Sequence, residues 1–141
     1  MDSFSHKWLN LWCWGVGAFG LLLAGYAFAP TEGFTRLFFD LLGQPIPDDP
    51  GQHLRFAMGL RGCITIGWAI TFAAAFKGAA HLTGPAAQGV WRTLALAVIV
   101  WFVIDSGVSI ATGFWRNAVS NTVLVLLYFV PVLRSGVLAP K

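Results

Sequence analysis

Trp91-Arg92-Thr93-Leu94-Ala95-Leu96-Ala97-Val98-Ile99-Val100-Trp101-Phe102-Val103-Ile104-Asp105-Ser106-Gly107-Val108-Ser109-Ile110-Ala111-Thr112-Gly113 settles the architecture of this 141-residue chain. From Thr93 to Ile104 no residue is charged. An apolar run of about 20 residues makes a helix long enough for the roughly 30 Å hydrocarbon core of a bilayer. Similar runs occupy about 8–29, 54–76 and 118–134. The sequence thus predicts an all-α membrane protein: a four-helix transmembrane bundle, up-down-up-down, in which residues 1–141 form one domain.

Composition excludes the other classes. The chain is 57% hydrophobic and 11% charged, with a mean hydropathy of +0.69. A soluble domain carries roughly 25% charged residues. Disordered chains are rich in charge and poor in aromatics, whereas this one is 15% aromatic. Two cysteines, Cys13 and Cys63, make no disulfide framework. Their spans place them near opposite membrane faces, so each reads as a small packing residue.

Four spans put both ends of the chain on one side. That side collects Lys7, Lys77, Arg92, Arg134 and Lys141 against Asp2. The other holds Arg36, Arg55 and Arg116 beside Glu32, Asp40, Asp48 and Asp49. Lys and Arg gather on the cytoplasmic face. The expectation is a multi-pass protein of the bacterial inner membrane with both termini cytoplasmic. The basic residues form no cluster or stripe, which argues against nucleic acid as a partner. Ala27-Phe28-Ala29 resembles a signal cleavage site, but the preceding apolar run is too long and Pro30 would follow the cut. The first run is therefore read as a retained span.

Within the outer loop, 30–53, Phe34, Leu37, Phe38, Leu41 and Leu42 recur at helical spacing up to Gly43. A short interfacial helix is expected there, followed by an extended segment through Pro45, Pro47 and Pro50. The loop serves either as an ordered connector or as a lid. The inner loop, 77–90, is rich in Gly, Ala and Pro and reads as a plain hairpin connection.

Two charges fall inside spans, Arg61 and Asp105. Such groups face protein or a water-filled cavity and usually have partners. By residue count both lie roughly 12 Å below the outer surface. Thr65 is one turn from Arg61; Ser109 and Thr112 follow Asp105 at i+4 and i+7; Asn117, Asn121, Leu124 and Tyr128 share a face of the last span. The expectation is a buried polar network, or a ligand pocket, of Arg61, Asp105, Thr65, Ser109, Asn121 and Tyr128, centred on an Arg61–Asp105 pair. The inner half offers only Asn10, Cys13 and Thr71, so an ion path looks closed. Gly59, Cys63 and Gly67 form a small-residue face suited to close helix packing, within the chain or as an association seam.

Catalytic signatures are absent: no phosphate loop, CxxC, HExxH or nucleophile elbow. His6, His53 and His81 make no metal-like pair, and no metal site is expected. No histidine lies within an apolar span to ligate a haem or chlorophyll. No cofactor is predicted; a quinone, a carotenoid or a lipid would suit a bundle pocket.

Leu54-Arg55-Phe56-Ala57-Met58-Gly59-Leu60-Arg61-Gly62, Trp101 to Gly107 and Val130-Pro131-Val132-Leu133-Arg134-Ser135-Gly136 resemble short bacterial four-span membrane proteins of unknown function. The layout is similar to the DoxX-like proteins, which are small four-helix bundles. That resemblance implies the fold only. DoxX relatives include quinone-linked oxidoreductase subunits and members without assigned activity, and no functional motif is matched here residue by residue. The leading expectation is a non-enzymatic protein that binds a hydrophobic molecule or lipid, acts as an accessory subunit of a membrane complex, or both. Homo-oligomerisation through the seam is a further expectation. A small isomerase or redox enzyme acting on a lipophilic substrate, and a pure scaffold, are the alternatives.

Overall fold

The computed structural model describes residues 1–139. Lys141, one of the basic residues assigned above to the inner side, lies outside them. Five helices follow one another: α1 Ser3–Gly25, α2 Glu32–Leu41, α3 Gly51–Ala79, α4 Gly84–Ala111 and α5 Trp115–Arg134. All except α2 are long and apolar enough to cross a membrane. The fold is the expected four-helix transmembrane bundle with a short helix in the first outer loop.

Helix ends differ from the sequence reading where turn chemistry is compact. The inner loop shrinks from 77–90 to 80–83, because α3 runs on to Ala79 and α4 begins at Gly84. Gly84 takes a positive φ of 61°, and Pro85 follows at the start of α4, where its missing N–H costs nothing. Asp2 explains the early start of α1: its Oδ1 accepts the Ser5 amide at 2.9 Å. Gly113, at φ 83°, closes α4, and the Phe114 amide returns to the Ser109 carbonyl at 2.7 Å.

The chain divides into two compact units, residues 13–71 and the remainder. In residues 13–71, α1 and α3 run antiparallel and meet backbone to backbone. A Cβ on Gly62 would lie 2.2 Å from the Ala24 nitrogen and 2.6 Å from the Gly20 carbonyl oxygen. A Cβ on Gly59 would sit 3.0 Å from Ala27, and Gly17 faces Ala69 at 3.7 Å. The seam on α3 is thus Gly59, Gly62, Ile66 and Ala69, following the i, i+3, i+7 drift of a 3.6-residue helix. Cys63 is exposed, and a Cβ on Gly67 would meet nothing within 4 Å.

In the other unit, α4 packs along α5. The core is aromatic: Trp12, Phe72, Phe76, Trp91 and Tyr128 are all buried. Phe76 stacks on Trp91 with centroids 5.5 Å apart, and Trp12 meets Tyr128 at the same separation. Pro131 sits inside α5. It has no N–H to give the Leu127 carbonyl four residues earlier. The Trp8 indole N–H supplies that bond at 2.8 Å, and Trp12 likewise donates to the Leu124 carbonyl at 3.0 Å. A backbone oxygen that would otherwise face hydrocarbon unpaired is thereby satisfied.

Candidate functional site

α4 and α5 bring a carboxylate and a set of small polar side chains to one place. Asp105 Oδ1 accepts Nδ2–H bonds from Asn117 at 2.8 Å and Asn121 at 2.7 Å. Ser109, one turn along α4, lies 3.4 Å from the same oxygen, and its hydroxyl also bonds the Asp105 carbonyl at 2.7 Å. Asn117 reaches the Ser109 hydroxyl at 2.8 Å, and Asn121 reaches Ser106 at 3.3 Å. Ser106, Ser109 and Asn121 are buried, while Asp105 and Asn117 are half-buried. Two helices thus hold one carboxylate with neutral amide donors. Spacing explains the convergence: Asp105 and Ser109 share a face at i, i+4, as do Asn117 and Asn121.

Of the residues singled out from sequence, Asp105, Ser109 and Asn121 come together. Tyr128 lies on α5 two turns beyond Asn121, roughly 10 Å along the axis. It is set among Trp12, Phe76 and Phe129. Arg61 and Thr65 belong to the 13–71 unit. Arg61 is exposed, and the Thr65 hydroxyl bonds back to the Arg61 carbonyl at 2.8 Å. Ser106 was not anticipated. It sits about 100° round the helix from Asp105, so a search along one face passes over it.

Sequence reading also missed a second polar cluster, in residues 13–71. The ring of Tyr26, fully buried, has the Arg36 guanidinium 5.8 Å from its centroid and that of Arg55 at 5.5 Å. Glu32 joins both arginines: Oε1 lies 3.5 Å from Arg36 Nε, and Oε2 pairs with Arg55 Nη1. The Arg55 hydrogen bond holds the Glu32 carboxyl below its ordinary range. Arg36 also donates to the carbonyls of Ile46, Pro47 and Asp48 at 3.2, 3.1 and 3.3 Å. The extended part of the outer loop is therefore tied down as an ordered connector.

A cavity of about 310 Å³ opens beside the start of α4, walled by His6, Ala80, Thr83, Gln88, Trp91 and Val137. Gln88 Nε2 draws the C-terminal segment over it, donating to the carbonyls of Leu138 at 3.3 Å and Ala139 at 2.5 Å. Among the described residues, no three His, Cys, Asp or Glu side chains gather as a metal-ligand set.

Fold and geometry together define a small four-span integral membrane protein with a carboxylate–amide cluster between its last two spans. No protein-family model, curated protein or solved structure matches the chain.

Proposed function

We propose that this protein binds a lipophilic molecule with a hydrogen-bonding head at the Asp105 cluster and does no chemistry on it. One observation supports this above the rest. Asp105, half-buried in a membrane span, has its Oδ1 fixed by amides from two successive turns of α5. Ionisable groups at such positions mark functional sites by default. A carboxyl group whose orientation is set by amide donors offers oxygen acceptors to a hydroxyl, amine or amide of a ligand. The cluster gathers amides and hydroxyls round the carboxyl, a donor and acceptor set suited to hydrogen-bonding a polar head. A quinol or a lipid headgroup offers the matching donors.

We further propose that the protein sits in a bacterial inner membrane with both termini cytoplasmic, a reading supported by Lys7, Lys77, Arg92 and Arg134. It would serve there as an accessory subunit. The outward Cys63 and the open space at Gly67 leave room for a neighbouring helix.

Native mass spectrometry from mild detergent tests the binding. Wild type should retain an extra mass that Asp105→Asn loses while remaining folded. A bare wild-type chain, or an extra mass indifferent to the substitution, would overturn the reading.

A further inference from the structure

The rotation and direction of α2 are fixed by two contacts. The Thr35 hydroxyl donates to the Leu22 carbonyl at 2.6 Å. That carbonyl is open to it because the Tyr26 amide turns to Leu23 instead. Three residues on, Phe38 packs against Phe19 with ring centroids 5.6 Å apart. Moving three residues forward along α2 moves three residues back along α1, so α2 runs antiparallel to the span it follows.

That direction has a depth. Phe19 lies six residues before the end of α1, about 9 Å at 1.5 Å per residue. α1 has 23 residues and measures roughly 35 Å against a hydrocarbon core of about 30 Å. Only a few ångströms of α1 can protrude, so Phe19 is within the core. Leu41, three residues beyond Phe38, is deeper still.

The outward face suits that depth. Phe34, Leu37 and Leu41 fall on one stripe and are 69%, 58% and 79% exposed. Glu32, Arg36 and Asp40, at i, i+4 and i+8, form a separate charged line. The spans of the same unit also expose apolar side chains, Leu21 on α1 and Phe56 and Leu60 on α3. The return segment also suits a medium poor in hydrogen bonds. Pro45, Pro47 and Pro50 have no N–H to satisfy, and the carbonyls of Ile46, Pro47 and Asp48 are taken by Arg36. Non-helical backbone at membrane depth requires such internal partners.

We propose that α2 and the segment to Asp49 form a re-entrant hairpin, sloping from the interface into the outer leaflet with Phe34, Leu37 and Leu41 against acyl chains. Thr35 and Arg36 act as its two ties.

Depth-resolved quenching tests this. Single cysteines at Phe34→Cys, Leu41→Cys and Asp49→Cys, in a Cys13→Ala/Cys63→Ala background, are labelled with bimane. The protein is placed in phosphatidylcholine vesicles carrying bromines at the upper or middle acyl chain. Leu41 should report deeper than Phe34, by up to about 10 Å, the axial rise of seven helical residues, and Asp49 should report near the headgroups. Thr35→Val should reduce the difference between the first two. Equal depths at Phe34 and Leu41 would mean a helix lying flat, and quenching at both no greater than at Asp49 would place it in water. Either result overturns the proposal.

Discussion

Helices are joined in two different ways in the two units. In residues 13–71, α1 and α3 meet through backbone, with glycines 20 and 62 so close that no side-chain atom fits between them. In the other unit, the contacts are made by large rings and by hydrogen bonds: Trp8 and Trp12 on α5 carbonyls, Asn117 and Asn121 on Asp105. Lipid is as apolar as the side chains, so burial alone gives little drive to bring spans together. Close backbone approach and polar pairing are the two remedies, and each unit leans on one of them. The first tolerates no added atom; the second tolerates change as long as donors and acceptors still match.

Gly62→Ala should give the largest effect. Its methyl would overlap the Ala24 nitrogen and the Gly20 carbonyl, and backbone cannot step aside as a side chain can. A loss of about 1–3 kcal/mol or more is expected in a denaturation series. Gly67→Ala, on the open side of the same helix, should stay within about 0.5 kcal/mol. Equal effects would show that the seam does not hold the unit together.

Next comes the carboxylate. Asp105→Leu removes the acceptor of two amides, at about 1–3 kcal/mol for a donor left without a partner. Asp105→Asn keeps an oxygen in place and should preserve the melting temperature far better. If the two variants melt alike, the amides are not held by Asp105.

Trp8→Phe should cost somewhat less, about 0.6–1.7 kcal/mol, the range for a hydrogen bond between membrane helices. Pro131→Ala returns an amide to the Leu127 carbonyl, so in that background the Trp8 substitution should cost little. A double-mutant cycle without coupling would refute the exchange of indole for amide.

The smallest effect belongs to Glu32. Its carboxyl is held below the ordinary glutamate value by Arg55. A group whose folded pKa is depressed adds stability that is complete above its unfolded value and is lost as pH falls through the folded one. Wild type should therefore lose part of its stability below the ordinary glutamate range, and Glu32→Gln should lose that part of the pH dependence. Both arginines are partly solvated, so salt should weaken the effect.

What the sequence made legible follows from periodicity. Four apolar runs gave the spans, and i, i+4 spacing brought Asp105 to Ser109 and placed Asn121 on the facing helix. The small-residue face was partly legible: Gly59 belongs to the seam, but spacing by fours led to Cys63 and Gly67, whereas the contact drifts to Gly62. Glu32, Arg36 and Arg55 were legible only as charges of the outer side, because their grouping round Tyr26 depends on how α2 folds back. The Trp8 bond was out of reach for a different reason. Its acceptor is a backbone oxygen 119 residues away, opened by a proline inside the last span.

That bond bears on how the chain is made. Trp8 is synthesised 119 residues before its acceptor, so the indole reaches the bilayer long before the Leu127 carbonyl exists. Arrival of α5, with its gap at Pro131, supplies that partner. A chain lacking Leu127 would leave the Trp8 indole without this acceptor, so the bond ties the inner end of α1 to a helix made much later.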